Sequence, residues 1–90
     1  MIQSDVDFLF WYAVAKARVG AFDQAGALFH AIEQYHEDAP LGRAYCFVRQ
    51  GQYRQAHALL GFVQQPSGRA YTIYKRLLRR CEQEIADANE

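Results

Sequence analysis

The side chains with chemistry to offer are three histidines, two cysteines and a run of cations in the last quarter of the chain. His30, His36 and His57 are scattered, with no HExxH pair and no Cys/His cluster at ligand spacing, so no metal site follows from them. His36, Glu37 and Asp38 set an imidazole beside two carboxylates, which suits a solvated helix end better than a ligand set. Cys46 and Cys81 stand alone without a CxxC and read as reduced packing thiols. The glycines are dispersed, so no phosphate-cradling loop is present, and no Ser/His/acid constellation has support. The expectation is a protein that is not an enzyme, with no catalytic residue, metal or cofactor. Lys75-Arg76-Leu77-Leu78-Arg79-Arg80, with Arg69, Tyr71 and Tyr74 nearby, could meet phosphates. Zero formal net charge, the acids that follow, and the place of both tyrosines on an apolar stripe argue against nucleic acid.

Those side chains have to be placed by a small domain. A single domain over residues 1–90 is expected, and a chain of this length buries only about 60 to 65% of its unfolded surface, so exposed apolar faces matter. Half of the residues are hydrophobic (51%) and prolines number two, which suits packed helices. Charge is segregated: residues 1–40 hold six acids and two bases, residues 41–81 eight bases and no acid, and residues 82–90 four acids. This pattern suggests interaction faces. The acidic start, Ser4-Asp5-Val6-Asp7, contradicts a secretory n-region, and the apolar run from Phe8 to Ala15 falls short of the roughly 20 residues that span a bilayer. A cytoplasmic protein without membrane insertion is expected.

Hydrophobic periodicity predicts five helices, at about 5–19, 22–36, 41–50, 53–63 and 67–86. Ser4 is the expected N-cap of the first, with Asp7 completing a capping-box-like pair. Phe8-Leu9-Phe10-Trp11-Tyr12 then sets large groups all around the cylinder, more than one hairpin partner can cover. The second helix carries Ala25, Leu28, Phe29, Ile32 and Tyr35 on one stripe. Glu37-Asp38-Ala39-Pro40 breaks the chain before the third, and Gln64-Gln65-Pro66-Ser67-Gly68 before the fifth, which Ser67 should cap. The last helix bears Tyr71, Tyr74, Leu77, Leu78, Cys81 and Ile85 on one side and its cations on the other. From Glu82 onward the polar tail is expected to fray.

Two stretches share one order of residues. Gly20-Ala-Phe22-Asp-Gln-Ala25 precedes Ala27-Leu28-Phe29, and Gly51-Gln-Tyr53-Arg-Gln-Ala56 precedes Ala58-Leu59-Leu60, about 31 residues later. Glycine permits a left-handed turn, the aromatic plugs the joint, and alanine keeps the second helix thin where it crosses the first. The pattern resembles tetratricopeptide repeats. It implies an all-α fold of two tetratricopeptide-like hairpins plus a C-terminal capping helix. In such arrays the first helix of each repeat lines a concave groove, which would bring Phe10, Val14, Ala17 and Arg18, then Leu41, Tyr45, Val48 and Arg49, to a client-binding surface. An amphipathic helix suits that groove, unless Tyr71 and Tyr74 fill it from within. Two repeats are marginal alone, which points to dependence on a partner.

The segment from Arg43 to Leu60, the Phe22 to Glu33 helix and the small size are similar to the tetratricopeptide chaperones that guard the needle subunit of bacterial type III secretion systems. The resemblance implies a bacterial cytoplasmic chaperone that binds the C-terminal helix of the needle subunit and prevents premature polymerisation. It also implies a small helical co-chaperone in a heterotrimer, contacted through Phe8, Trp11 and Tyr12. A generic tetratricopeptide peptide-binding adaptor is the alternative reading, with nucleic-acid binding through the basic last helix a further one.

Overall fold

The computed structural model describes residues 2–64, 66 and 68–89. All regular structure among them is helical: α1 (Gln3–Arg18), α2 (Phe22–Ala31), α3 (Ala39–Arg49), α4 (Tyr53–Phe62) and α5 (Gly68–Ala88). Each helix packs on the next in sequence, and α3 also touches α1 and α5. Among the described residues α1 meets neither α4 nor α5, and α2 meets neither α4 nor α5. The helices therefore form an elongated row of 47 × 26 × 18 Å.

The two joints predicted from glycine have one geometry. At the first, Gly20 N–H donates to Ala17 O (3.1 Å) and Ala21 N–H reaches back to Lys16 O (2.9 Å). At the second, Gly51 N–H donates to Val48 O (3.0 Å) and Gln52 N–H to Phe47 O (2.8 Å). This is the Schellman arrangement, which satisfies otherwise orphaned helix-end carbonyls and requires positive φ at the glycine. Gly20 has φ +84° and Gly51 φ +77°. A Cβ at either site would meet nothing within 4 Å, so substitution is penalised by the backbone alone. Gly20→Ala and Gly51→Ala are each expected to cost about 1–2 kcal/mol, and Asn at the same sites less. Equal shifts in thermal melting midpoint for the two alanine variants would show that the joints are equivalent. The alanines that follow, Ala25 and Ala56, are fully buried, which lets the second helix of each hairpin approach closely.

Several boundaries differ from the sequence expectation. α1 starts earlier, and Ile2, not Ser4, takes the N-cap position, without a side-chain cap. The Ile2 carbonyl accepts from Asp5 N–H (3.0 Å) and Val6 N–H (3.1 Å), so Ser4 lies inside the first turn. Asp7 accepts instead from the Gln3 side chain (3.0 Å). α2 stops at Ala31, five residues short of the expected end. Beyond it the ladder tightens to three-residue bonds, Ile32 N–H to Phe29 O (3.2 Å) and Tyr35 N–H to Ile32 O (2.9 Å). Ile32 is still fully buried, but Tyr35 leaves the stripe and is exposed. The turn seats His36 flat on Phe10, ring centroids 3.9 Å apart, and His36 Nδ1 accepts the Asp38 N–H (3.1 Å). That trio is thus a helix-end device. α3 begins at Ala39 with Pro40 in its first turn, where the missing donor does no harm. α5 runs to Ala88 rather than ending near residue 86, because Ile85 continues the packed stripe and Arg80 pairs with Glu84 one turn on (3.0 Å). The expected Ser67 cap lies outside the described residues.

The interior divides into two clusters. Val6, Ala13, Ala25, Phe29, Ile32, Ala39 and Cys46 form the first, and Leu41, Ala44, Ala56, Leu60, Leu77 and Cys81 the second. α3 contributes to both and joins them. Cys46 and Cys81 are free and buried, as a packing role requires. Burial pushes the Cys46 thiol from its ordinary value of 9.0 up to about 11 and raises Cys81 in the same direction, with the Glu82 charge adding to the latter. A thiol whose folded pKa is raised binds its proton more tightly when folded. Its stabilising contribution is therefore intact below pH 9 and is lost between about 9 and 11. Denaturation midpoints should fall over that window, and Cys46→Ala should flatten the slope.

Candidate functional site

Among the described residues no group of three or more His, Cys, Asp and Glu side chains is placed to hold a metal ion. No helix there is long and apolar enough to cross a membrane. What the fold does present is surface in two contrasting chemistries at its two ends.

The first is on α1. The all-round run of large groups is sorted by the hairpin: Val6 and Ala13 are buried, and Leu9, Phe10, Val14 and Ala17 pack partly buried against the first cluster. Phe8 (69% exposed), Trp11 (64%) and Tyr12 (45%) point away from it. The stripe continues through exposed Ala15 and Val19, at offsets of 3, 4, 7 and 11 from Phe8. Those last two extend the sequence-predicted face, and helical periodicity alone could have found them. Phe8 and Tyr12 stack at 6.1 Å, and the Lys16 ammonium lies 5.4 Å from the Tyr12 ring centroid. The stripe is preorganised by its own contacts.

The second is the outer side of α5. Arg69, Lys75, Arg76, Arg79 and Arg80 are all exposed, as the sequence placed them. All but Arg69 line, with Tyr71, Thr72 and Gln83, an open depression of about 490 Å³. The opposite side of this helix carries Leu77 and Cys81 into the second cluster, with Tyr74, Leu78 and Ile85 around them.

The groove residues expected from repeat logic divide. Leu41 is only 6% exposed, sealed in the second cluster between α3, α4 and α5, and so forms no part of an open groove. Its burial follows from α5 folding back on α3. Phe10, Val14 and Ala17 keep a partly exposed edge on α1, and Tyr45 and Val48 do so on α3. Tyr45 packs edge-on to Phe22 (6.3 Å), and the Arg49 guanidinium sits 5.3 Å from the Phe22 ring centroid. Arg49 is exposed, and Arg18 is exposed at the end of α1. On the α2/α3 side, Arg43 pairs with Glu33 (2.9 Å) and Gln50 hydrogen-bonds Asp23, tying the two hairpins together.

No family model, curated protein or solved structure matches this chain.

Proposed function

We propose that this chain is a two-hairpin scaffold of the tetratricopeptide type that works by holding helices of other proteins. Its best-supported role is that of a chaperone for the needle subunit of a type III secretion system, acting in the bacterial cytoplasm with a small helical co-chaperone. The observation that carries the reading is the α1 stripe of Phe8, Trp11 and Tyr12, which the fold leaves uncovered while the rest of that helix packs inward. Matching glycine joints about 31 residues apart, and a helix row in which α3 touches both α1 and α5, are the supports for the repeat assignment. A subunit that polymerises through an apolar helix stays monomeric while that helix is buried in a complex, and no catalysis is required. The partly exposed α1 and α3 positions, Phe10, Val14, Ala17, Tyr45 and Val48 with Arg49 at the edge, would receive the client helix; Leu41 would not.

The test is co-expression with small helical proteins encoded beside the gene, followed by mass measurement of the purified species. Trp11→Asp should release the co-chaperone and spare the client, whereas Arg49→Glu with Val48→Asp should do the reverse, each with an unchanged helical circular-dichroism signal. Loss of both partners in both variants, with helicity intact, would reject the division of faces. A monomer that ignores those neighbours yet binds helical peptides would favour the generic adaptor. The basic side of α5 is bounded on the same helix by Glu82, Glu84 and Asp87, which disfavours a long polyanion lying along it.

A further inference from the structure

We propose that the uncovered face of α1 pairs with the same face of a second copy of this chain, in an antiparallel two-fold arrangement centred between Trp11 and Tyr12. The argument rests on how charge flanks the apolar stripe. Asp5 and Lys16 are 11 residues apart, as are Asp7 and Arg18, and positions 11 apart share one side of an α-helix. The stripe of Phe8, Trp11, Tyr12, Ala15 and Val19 runs between these two pairs. Each flank is thus acidic at its N-terminal end and basic at its C-terminal end. Asp5, Asp7 and Arg18 are exposed, Lys16 is half-buried over Tyr12, and none of the four is in an ion pair among the described residues.

A two-fold axis across two antiparallel helices keeps each flank on its own side and reverses it end for end. Asp5 then faces Lys16 of the second copy, and Asp7 faces its Arg18, twice over by symmetry. The same register sets Phe8 opposite the small Ala15 of the second copy and Trp11 opposite its Tyr12. Large therefore meets small at the ends of the seam, and aromatic meets aromatic in the middle. A parallel pairing would bring acids against acids and bases against bases, which costs binding. Acids early and bases late also suit the dipole of a lone helix, but that requirement does not call for exposed Phe8, Trp11 and Tyr12 between them. The seam is one helix wide, below the roughly 1,600 Å² of a standard interface, so association belongs in the micromolar range. The pairing covers the surface assigned above to the co-chaperone, so the two occupants would compete, although the proposal itself needs only this chain.

The test uses the chain alone. Sedimentation over a micromolar concentration series should show a monomer–dimer equilibrium. Trp11 is the chain's single tryptophan, so its emission should move to shorter wavelength over the same range. The double variants Asp5→Lys with Asp7→Lys, and Lys16→Glu with Arg18→Glu, should each dimerise roughly tenfold or more weakly. Mixing them should restore association as a one-to-one heterodimer. The mixture controls for folding, because each chain keeps whatever helix penalty its own substitutions impose. A monomer throughout the series, a dimer equally strong in both double variants, or open-ended assembly through another face would overturn the proposal. None of these results decides whether a co-chaperone binds, which the co-expression above reads separately.

Discussion

Leu60→Ala is expected to remove about 2–5 kcal/mol of folding stability, the loss found when a large aliphatic is deleted from a tightly packed site. Leu60 is fully buried in the second cluster, where α4 meets α3 and α5. A domain of this size has a net stability of only about 5–10 kcal/mol, so the variant should lose a large fraction of its margin and melt well below the parent. Urea titration followed by circular dichroism gives the measurement. Phe62→Ala, two residues on, removes a larger side chain that is 89% exposed and should change stability by less than about 0.5 kcal/mol. Similar losses for both would mean that α4 presents a different face inward.

The second large effect runs against a general trend. Replacing a helical glycine by alanine usually stabilises by about 0.5–1 kcal/mol. Gly42 lies inside α3, yet a Cβ there would stand 2.6 Å from two ring carbons of Phe29. That ring is buried and further held by an edge-to-face contact with Phe10 at 5.6 Å, so it has little room to retreat. Gly42→Ala should therefore destabilise by about 1–3 kcal/mol, as overpacking does. Combining it with Phe29→Leu, which vacates the ring edge, should recover part of the loss. A stabilised Gly42→Ala protein would place α2 and α3 further apart than the structure has them.

Sequence legibility followed the range of the forces involved. The joints at Gly20 and Gly51 were readable because a left-handed turn constrains residue type locally, and the pattern recurs at a fixed spacing. The inward side of α5 was readable from three- and four-residue periodicity, which burial of Leu77 and Cys81 matches, and in α4 the repeated residue order marked Ala56 and Leu60, both buried, along with Ala58, which is exposed. In α1, Phe8 to Tyr12 is apolar without interruption, so an excess of large groups was legible, and Phe8, Trp11 and Tyr12 do stay exposed; Ala15 and Val19, which continue that face, went unnamed. Gly42 gave no signal in sequence; its reason is a ring 13 residues earlier in the chain. Leu41 was misplaced because repeat logic treats α3 as the wall of a groove, whereas α5 folds over that part of it. The end of α2 was missed for a similar reason: the His36 to Phe10 stack that bends the chain is a tertiary contact.

The row-like connectivity of the five helices also bears on how quickly the chain finds its shape. Every helix–helix contact joins elements that are neighbours or next-neighbours in sequence, so no long loop must close before packing is rewarded. Low contact order of this kind belongs to chains that fold in microseconds to milliseconds. With two clusters meeting only through α3, either hairpin can nucleate first, and Leu60→Ala should mainly hasten opening of the α4/α5 end while amides of α1 and α2 stay protected from hydrogen exchange.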